Sequence, residues 1–134
     1  GQRHEISVYA DVSARDVQTA HKQWYFGKSL DGFTPIGPCI VTADAFADYP
    51  PRLGIRSFVN GEKRQDSNTA LQIFDIDHVI AELSQGMTLK AGTIIATGTP
   101  AGVGMGMDPP QFLKPGDVVR CEIEGIGTLT NPVK

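Results

Sequence analysis

The glycine-rich segment at positions 96–106, ATGTPAGVGMG, has the composition of an anion-binding loop. It follows an apolar run, and Thr97 and Thr99 place a hydroxyl group on either side of Gly98. Backbone N–H groups in such a turn can form a nest that binds an anion. A tight turn closed by Pro100 would explain the same pattern, so both interpretations stay open at this point.

A nucleotide phosphate is not the anion that the sequence favours. The phosphate-binding loop of P-loop proteins needs a lysine directly after its second glycine. The segment 96–106 has no lysine, and Pro109 and Pro110 follow where a phosphate-binding helix would begin. Gly27-Lys28-Ser29 supplies the lysine, but Lys22 occupies the position of the first glycine. Neither segment therefore predicts a nucleotide site.

The segment DVSARDVQ at 11–18 brings oxygen-bearing side chains close together. Asp11 ends an extended run, and Arg15, Asp16 and Gln18 follow it. Carboxylate and amide oxygens suit Mg²⁺, Mn²⁺ or Ca²⁺, although one carboxylate does not make a metal site. Arg15 and Asp16 also fit a local ion pair that braces a turn.

Lys28 is the third residue whose setting suggests chemistry. It follows three aromatic residues, Trp24, Tyr25 and Phe26. A lysine in a partly apolar setting can hold a substrate carboxylate or stabilise an enolate oxygen. A solvated surface lysine would fit the same sequence, so the spacing alone does not decide between these roles.

The elements that must position these groups are mostly short strands. Alternating or apolar runs predict strands at 6–10, 39–42, 93–97, 118–124 and 126–131, with a short helix or irregular turn at 12–24. Asn60-Gly61 between two extended segments predicts a type I′ hairpin. A helix is expected at 77–84, with Asp77 as its N-cap and Gly86 after its end. Many short strands with few helices predict a single β-rich α+β domain.

Composition limits the classes of partner. The 134 residues carry a net charge of −3 with no basic cluster, which gives no reason to expect nucleic acid. No apolar run has membrane length, so a cytoplasmic protein is expected. Cys39 and Cys121 read as two half-buried thiols in a reducing compartment. The histidines show no common metal-ligand spacing, and the last of them is expected on the surface (His4, His21 and His78).

Five collinear blocks resemble the fumarylacetoacetate hydrolase family and cover nearly the whole chain. They are DVSARDVQ (11–18), QWYFGKSLDGFTPIGPCIVT (23–42), VNGEKRQDSNT (59–69), LKAGTIIATGTPAGVG (89–104) and LKPGDVV with IEGIGTLTNPV (113–133). The resemblance implies a mixed β-sheet or β-roll fold of that family's C-terminal domain type, usually a homodimer. It also implies a divalent cation, Mg²⁺ or Mn²⁺ with Ca²⁺ as a further option, and a small 2-oxo acid substrate.

The resemblance assigns roles to five residues. Asp11 is expected to be a metal ligand. Gln18 and Lys28 are expected to bind substrate oxygens, and Lys28 also to stabilise enolate character as the catalytic residue. Thr99 and the Gly98 backbone are expected to hold the substrate carboxylate, which would make the anion at the glycine-rich loop a carboxylate.

The family's Glu-x-Glu metal ligands, which precede the equivalent of Asp11, have no match here. Residues 1–134 are therefore expected to be a fragment of a larger catalytic domain. The first functional interpretation is a metal-dependent hydrolase that cleaves a C–C bond in an acylpyruvate-like or fumarylacetoacetate-like acid of aromatic catabolism. An isomerase or decarboxylase of 2-hydroxymuconate-type or oxaloacetate-like acids is the alternative, and a non-catalytic scaffold domain is the second one.

Overall fold

The computed structural model describes residues 5–20, 22 and 24–134. The strands are β1 (Ile6–Tyr9), β2 (Ile36–Val41), β3 (Gly54–Val59), β4 (Glu62–Asn68), β5 (Val118–Ile123) and β6 (Gly127–Pro132). The α-helices are α1 (Arg15–Ala20), α2 (Trp24–Lys28) and α3 (Ile76–Ser84), and 3₁₀ turns occur at Ala43–Ala45, Thr69–Leu71 and Gly104–Gly106. This confirms the β-rich α+β class. His4 and His21 lie outside the described residues.

The strands form two antiparallel sheets. β1 pairs with β2, and the larger sheet has the order β4-β3-β5-β6. Their apolar faces share a small core in which Val8 from β1 meets Leu53, Ile123 and Ile126. Burial of such side chains is the main stabilising term in a domain of this size. The core therefore fixes the end of β1, where Asp11 follows, relative to the larger sheet.

The Asn60-Gly61 hairpin is confirmed between β3 and β4. Both residues have positive φ, 52° and 83°, as a type I′ turn requires. Ser57 pairs with Gln65 whereas the next residue, Phe58, pairs with Lys63, so β4 holds one extra residue. That residue is Arg64, and such a β-bulge re-aims the side chains around it.

The strand expected at 39–42 begins earlier, at Ile36, and ends at Val41. The register of β2 against β1 slips between Ser7 and Val8, which leaves residues 38 and 39 out of the ladder. Ser7 Oγ donates to the carbonyl oxygen of Cys39 at 2.7 Å and so satisfies that bulged backbone. Cys39 is exposed rather than half-buried, whereas Cys121 is half-buried as expected, and neither forms a disulfide.

Helix α3 is capped by Asp75, so the expectation for Asp77 is wrong by two residues. Asp75 Oδ1 accepts a hydrogen bond from the backbone N–H of His78 at 2.7 Å, the third residue of the helix. Asp77 lies in the first helical turn instead, where its charge still favours the helix dipole. His78 is exposed, as expected, and its ring stacks on Phe74 at 4.7 Å. No helix in the described part of the chain is long and apolar enough to cross a bilayer.

The strand expected at 93–97 does not form. Thr93 closes a turn with Lys90: the Thr93 N–H donates to the Lys90 carbonyl, and the Lys90 N–H donates to Thr93 Oγ1, both at 3.0 Å. Ile94 is 72% exposed. The prediction failed because an apolar run shows a tendency to be buried, whereas a strand also needs a neighbouring backbone to pair with.

Candidate active site

Asp11 and Lys28 meet directly. Lys28 Nζ lies 2.7 Å from Asp11 Oδ2, and the two side chains are 25% and 31% exposed. Asp11 follows the end of β1, and Lys28 is the last residue of α2. An ammonium has three N–H donors, and Asp11 accepts from one of them. The pair is thus partly shielded yet accessible to a small ligand.

Tyr9 is a member of this cluster that the sequence analysis missed. Its phenol lies close enough to Asp11 and Thr34 for both side chains to act on its pKa. Burial raises the pKa of the Tyr9 phenol, the negative charge of Asp11 raises it further, and the hydrogen bond with Thr34 opposes them. The phenol therefore stays protonated at neutral pH. The signal for it was the period of two in a strand, which places Tyr9 and Asp11 on the same side of an extended segment.

Helices α1 and α2 hold Lys28 in place through a close contact at Gly27. Gly27 is buried, and its carbonyl oxygen accepts from the Ala14 N–H at 2.9 Å. A Cβ on Gly27 would lie 2.9 Å from the Ala14 carbonyl oxygen and 2.9 Å from the Cβ of Gln18. Only glycine allows the helices to approach this closely, and this approach fixes where Lys28 emerges.

Gln18 is a buried part of this contact between α1 and α2. It is only 2% exposed, and its Oε1 accepts from Arg15 Nη1 at 2.8 Å. Arg15 therefore bonds Gln18 rather than forming the ion pair with Asp16 that the sequence suggested. The predicted contact between Gln18 and a substrate oxygen stays a prediction, since the observed neighbours of Gln18 are the groups that position Lys28.

The second cluster lies at the glycine-rich loop. Gln65 Nε2, from β4, donates to Thr99 Oγ1 at 2.9 Å and to the Pro100 carbonyl at 2.8 Å. Gly98 has a φ of +97°, the left-handed region that glycine adopts without strain. Gly98 and Thr99 are exposed. The loop thus presents a hydroxyl group to solvent, and its binding of a carboxylate stays a prediction.

The two clusters are held by different elements. No hydrogen bond or ion pair joins Thr99 or Gly98 to the Asp11–Lys28 pair in the contacts of residues 5–20, 22 and 24–134. Two cavities of the fold lie elsewhere, one lined by residues 46–53 and one by Arg56 and residues 122–128. Asp11 and Lys28 are therefore brought together by the structure, whereas their joint action with Thr99 stays a prediction.

The described residues do not complete a site for the divalent cation that the resemblance implies. Asp11 offers a carboxylate, which is a suitable ligand for a hard cation. One of its oxygens already bonds Lys28. In the described part of the chain, no three His, Cys, Asp or Glu side chains are grouped so that they could hold a metal ion. Asp11 would thus be one ligand of a larger set.

Comparison with known proteins agrees with the fold and the sequence blocks. A family model described as "Fumarylacetoacetate (FAA) hydrolase C-terminal" matches residues 5–134. The chain belongs to this family, and the expected C-terminal domain type is confirmed.

Two relatives carry the name oxaloacetate tautomerase. YisK of Bacillus subtilis is 48% identical over 127 residues, which are 95% of this chain and 42% of that protein. The mitochondrial protein fahd2 of Xenopus laevis is 50% identical over 129 residues, 95% of this chain and 40% of that protein. The chain therefore spans less than half the length of these relatives.

Solved structures of the family have the same fold. Fumarylacetoacetate hydrolase (EaFAH) from Exiguobacterium antarcticum is 55% identical, with a TM-score of 0.91 over 96% of this chain and 46% of that one. The 5-carboxymethyl-2-hydroxymuconate delta-isomerase from Mycobacterium smegmatis is 44% identical, with a TM-score of 0.81 over 94% of this chain and 46% of that one. The chain is thus similar to hydrolases and isomerases of one enzyme family.

Proposed function

We propose that the protein is a 2-oxo acid tautomerase, which interconverts the enol and keto forms of an oxaloacetate-like dicarboxylic acid. One observation carries the choice of reaction: the relatives YisK and fahd2, 48% and 50% identical to this chain, are both named oxaloacetate tautomerases. The reaction belongs to the isomerase class that the sequence analysis gave as its alternative. The hydrolase interpretation that it placed first becomes the second candidate.

The Asp11–Lys28 cluster has a group that can stabilise the charge that develops in this reaction. Tautomerisation of a 2-oxo acid removes a proton from the enol hydroxyl and adds one to the neighbouring carbon, and the intermediate enolate carries its charge on oxygen. The Lys28 ammonium, with donors beyond the one that Asp11 accepts, stabilises such an oxygen. The Tyr9 phenol beside Asp11 is protonated, so it can donate a hydrogen bond to the Asp11 carboxylate that holds Lys28.

The divalent cation belongs to the proposal as well. Mg²⁺ or Mn²⁺ would supply Lewis-acid polarisation of the 2-oxo group when bound. Asp11 is the described residue that would contribute an oxygen ligand to it. The role given above to Lys28 depends on its own ammonium group.

The experiment follows the enol form of oxaloacetate by its ultraviolet absorbance. Freshly dissolved enol is mixed with the complete protein, and the decay of absorbance is compared with the spontaneous rate in the same buffer. We expect a protein-dependent acceleration without release of CO₂, because tautomerisation breaks no C–C bond. Acceleration equal to that given by heat-inactivated protein would refute the proposal, and CO₂ release in step with the decay would reassign the reaction to decarboxylation.

Hydrolysis is the second candidate because the structure of EaFAH, named a fumarylacetoacetate hydrolase, is 55% identical to this chain. The same preparation is therefore incubated with an acylpyruvate, and the free carboxylic acid and pyruvate that hydrolysis would release are measured. Turnover of the acylpyruvate together with no effect on oxaloacetate enol would place hydrolysis first. The homodimer implied by the resemblance is also a proposal. The molar mass measured by light scattering during size-exclusion chromatography tests it.

A further inference from the structure

Gln65 on β4 connects the β3–β4 hairpin to the glycine-rich loop. Its Nε2 donates to Thr99 Oγ1 at 2.9 Å and to the Pro100 carbonyl at 2.8 Å. On its other side, Ser57 Oγ donates to Gln65 Oε1 at 2.8 Å across the β3–β4 ladder. One amide group thus joins a strand hydroxyl to the loop hydroxyl that is expected to face the substrate.

The orientation of the Gln65 amide follows from its partners. The Pro100 carbonyl oxygen can only accept a hydrogen bond, so the group that faces it must be the NH₂ end. The Oε1 end then faces Ser57, whose hydroxyl must donate to it. The donor and the acceptor of each of these three hydrogen bonds are therefore determined without reference to hydrogen positions.

The same reasoning fixes the polarity of Thr99. Because Thr99 Oγ1 accepts from Gln65, the hydroxyl proton of Thr99 points away from Gln65 and is free to donate. Thr99 is exposed, so that donor faces the surroundings of the loop. A hydroxyl whose proton is available to donate suits an anionic carboxylate, which accepts only, and such charge-assisted bonds are the stronger ones.

The loop and the residues directly after it are held against β4 at further points, so this geometry does not rest on one side chain. Arg64, the extra residue of the β4 bulge, bonds Gln111 Oε1 through its Nη1 and contacts Met107 Sδ at 3.0 Å. Gly102 has a φ of +105°, and a Cβ there would overlap the Arg64 carbonyl oxygen. The bulge therefore directs Arg64 and Gln65 to adjacent parts of one loop.

We propose that Gln65 is a positioning residue, itself oriented by Ser57, that sets the Thr99 hydroxyl as a hydrogen-bond donor to a carboxylate of the substrate. This rests on the proposed function in so far as the ligand is a 2-oxo acid. Thr99 contacts the carboxylate and Gln65 acts through Thr99. Such a carboxylate is bound alike in the substrate and in the transition state, so the effect falls on binding rather than on turnover.

The test uses the complete protein and two variants of Gln65. Gln65→Met removes the donor at similar volume. Gln65→Glu places an acceptor against Thr99 and reverses the direction of its hydroxyl. We expect KM for oxaloacetate enol to rise roughly tenfold in Gln65→Met, the size of a lost hydrogen bond to a charged group, and further in Gln65→Glu, with kcat within about threefold of wild type in Gln65→Met. Gln72→Glu, at an exposed position, controls for the added charge.

A double-mutant cycle shows whether Gln65 acts through Thr99. Thr99→Val should raise KM by a similar factor, and adding Gln65→Met to Thr99→Val should change KM no further, because the hydroxyl to be oriented is already gone. Equal KM increases in both backgrounds would show a structural effect of Gln65 and refute the proposal. An unchanged KM in Gln65→Met, with Thr99→Val impaired, would refute it too. If Gln65→Glu does not fold, the Met variant and the cycle still decide.

Failure of the proposed function is recognised separately. Affinity for oxalate, a dicarboxylate that does not turn over, is measured by calorimetry on the same variants. Wild-type protein that binds oxalate but leaves oxaloacetate enol unchanged would refute the tautomerase, while weaker oxalate binding in Gln65→Met would still support the positioning role. Wild-type turnover of oxaloacetate enol, together with a KM that Gln65→Met does not change, would support the tautomerase and refute the positioning role of Gln65. Wild-type protein that neither converts the enol nor binds oxalate would refute both.

Discussion

Lys28 Nζ lies 2.7 Å from Asp11 Oδ2, although the two residues are 17 positions apart in the chain. The sequence analysis assigned them different tasks, a metal ligand and a substrate-binding cation. Their contact means that a change in either residue alters the electrostatic surroundings of the other. A ligand bound at Asp11 would lie close to the ammonium of Lys28, so the two expected roles are coupled.

Replacing Lys28 with alanine should lower kcat by about a hundredfold or more, the loss expected for one preorganised donor at a developing oxyanion. The rate at which the absorbance of oxaloacetate enol decays measures this kcat. Lys90→Ala, which removes an exposed lysine, should leave kcat at the wild-type value. A Lys28→Ala variant with nearly wild-type turnover would remove Lys28 from the chemistry.

Asp11→Asn should weaken the response of the activity to a divalent cation. Protein treated with a chelator is titrated with Mg²⁺ or Mn²⁺ while activity is followed. We expect the wild type to regain activity, and the variant to need at least roughly tenfold more cation, because affinity for hard cations follows the charge of the oxygen ligands. Identical titration curves for the two proteins would show that Asp11 is not a ligand.

Local signals in the sequence predicted the parts of the fold that depend on local geometry. The Asn60-Gly61 turn and the β5–β6 hairpin formed where their turn residues required them. Even there, the long-range task of Asn60 was hidden: its Oδ1 accepts from the Val118 N–H at 2.9 Å and its Nδ2 bonds Asp117 at 2.8 Å. The bond from Asn60 is the main reason that the pKa of Asp117 is lowered.

The site was predictable only in part, because its contacts join distant segments. Residue patterns singled out Asp11, Lys28 and Thr99, and the resemblance to a family then gave them roles without giving their partners. Tyr9 and Gln65 carry no motif of their own. Tyr9 matters because the period of the strand places it beside Asp11, and Gln65 matters because the β-bulge directs it to Thr99. The position of the bulge at Arg64 cannot be predicted from residue types.

Gly27→Ala should displace Lys28. The new Cβ would lie 2.9 Å from the Ala14 carbonyl oxygen and from Gln18, so α1 and α2 must separate. Overpacking of this kind costs about 1–3 kcal/mol, which thermal unfolding would detect, and kcat should fall with it. Gly86→Ala is the matched control, because a Cβ there meets nothing within 4 Å. A Gly27→Ala protein with unchanged melting temperature and activity would show that the close approach of the helices is not needed.

The two cysteines should react with iodoacetamide at different rates, and the difference should depend on pH. Cys39 is exposed, whereas burial raises the pKa of the Cys121 thiol above its ordinary 9.0. Because the thiolate is the reactive form, peptide mapping at pH 8 should find Cys39 alkylated first, and Cys121 should follow only as the pH rises beyond 9.

The raised pKa of the Cys121 thiol means that the folded state holds the proton more tightly, so the stability that this thiol contributes is complete below pH 9 and is lost above it. Cys121→Ala should therefore reduce the alkaline fall in melting temperature, while Cys39→Ser should not. Equal labelling of both cysteines in folded protein at pH 8 would contradict the burial of Cys121.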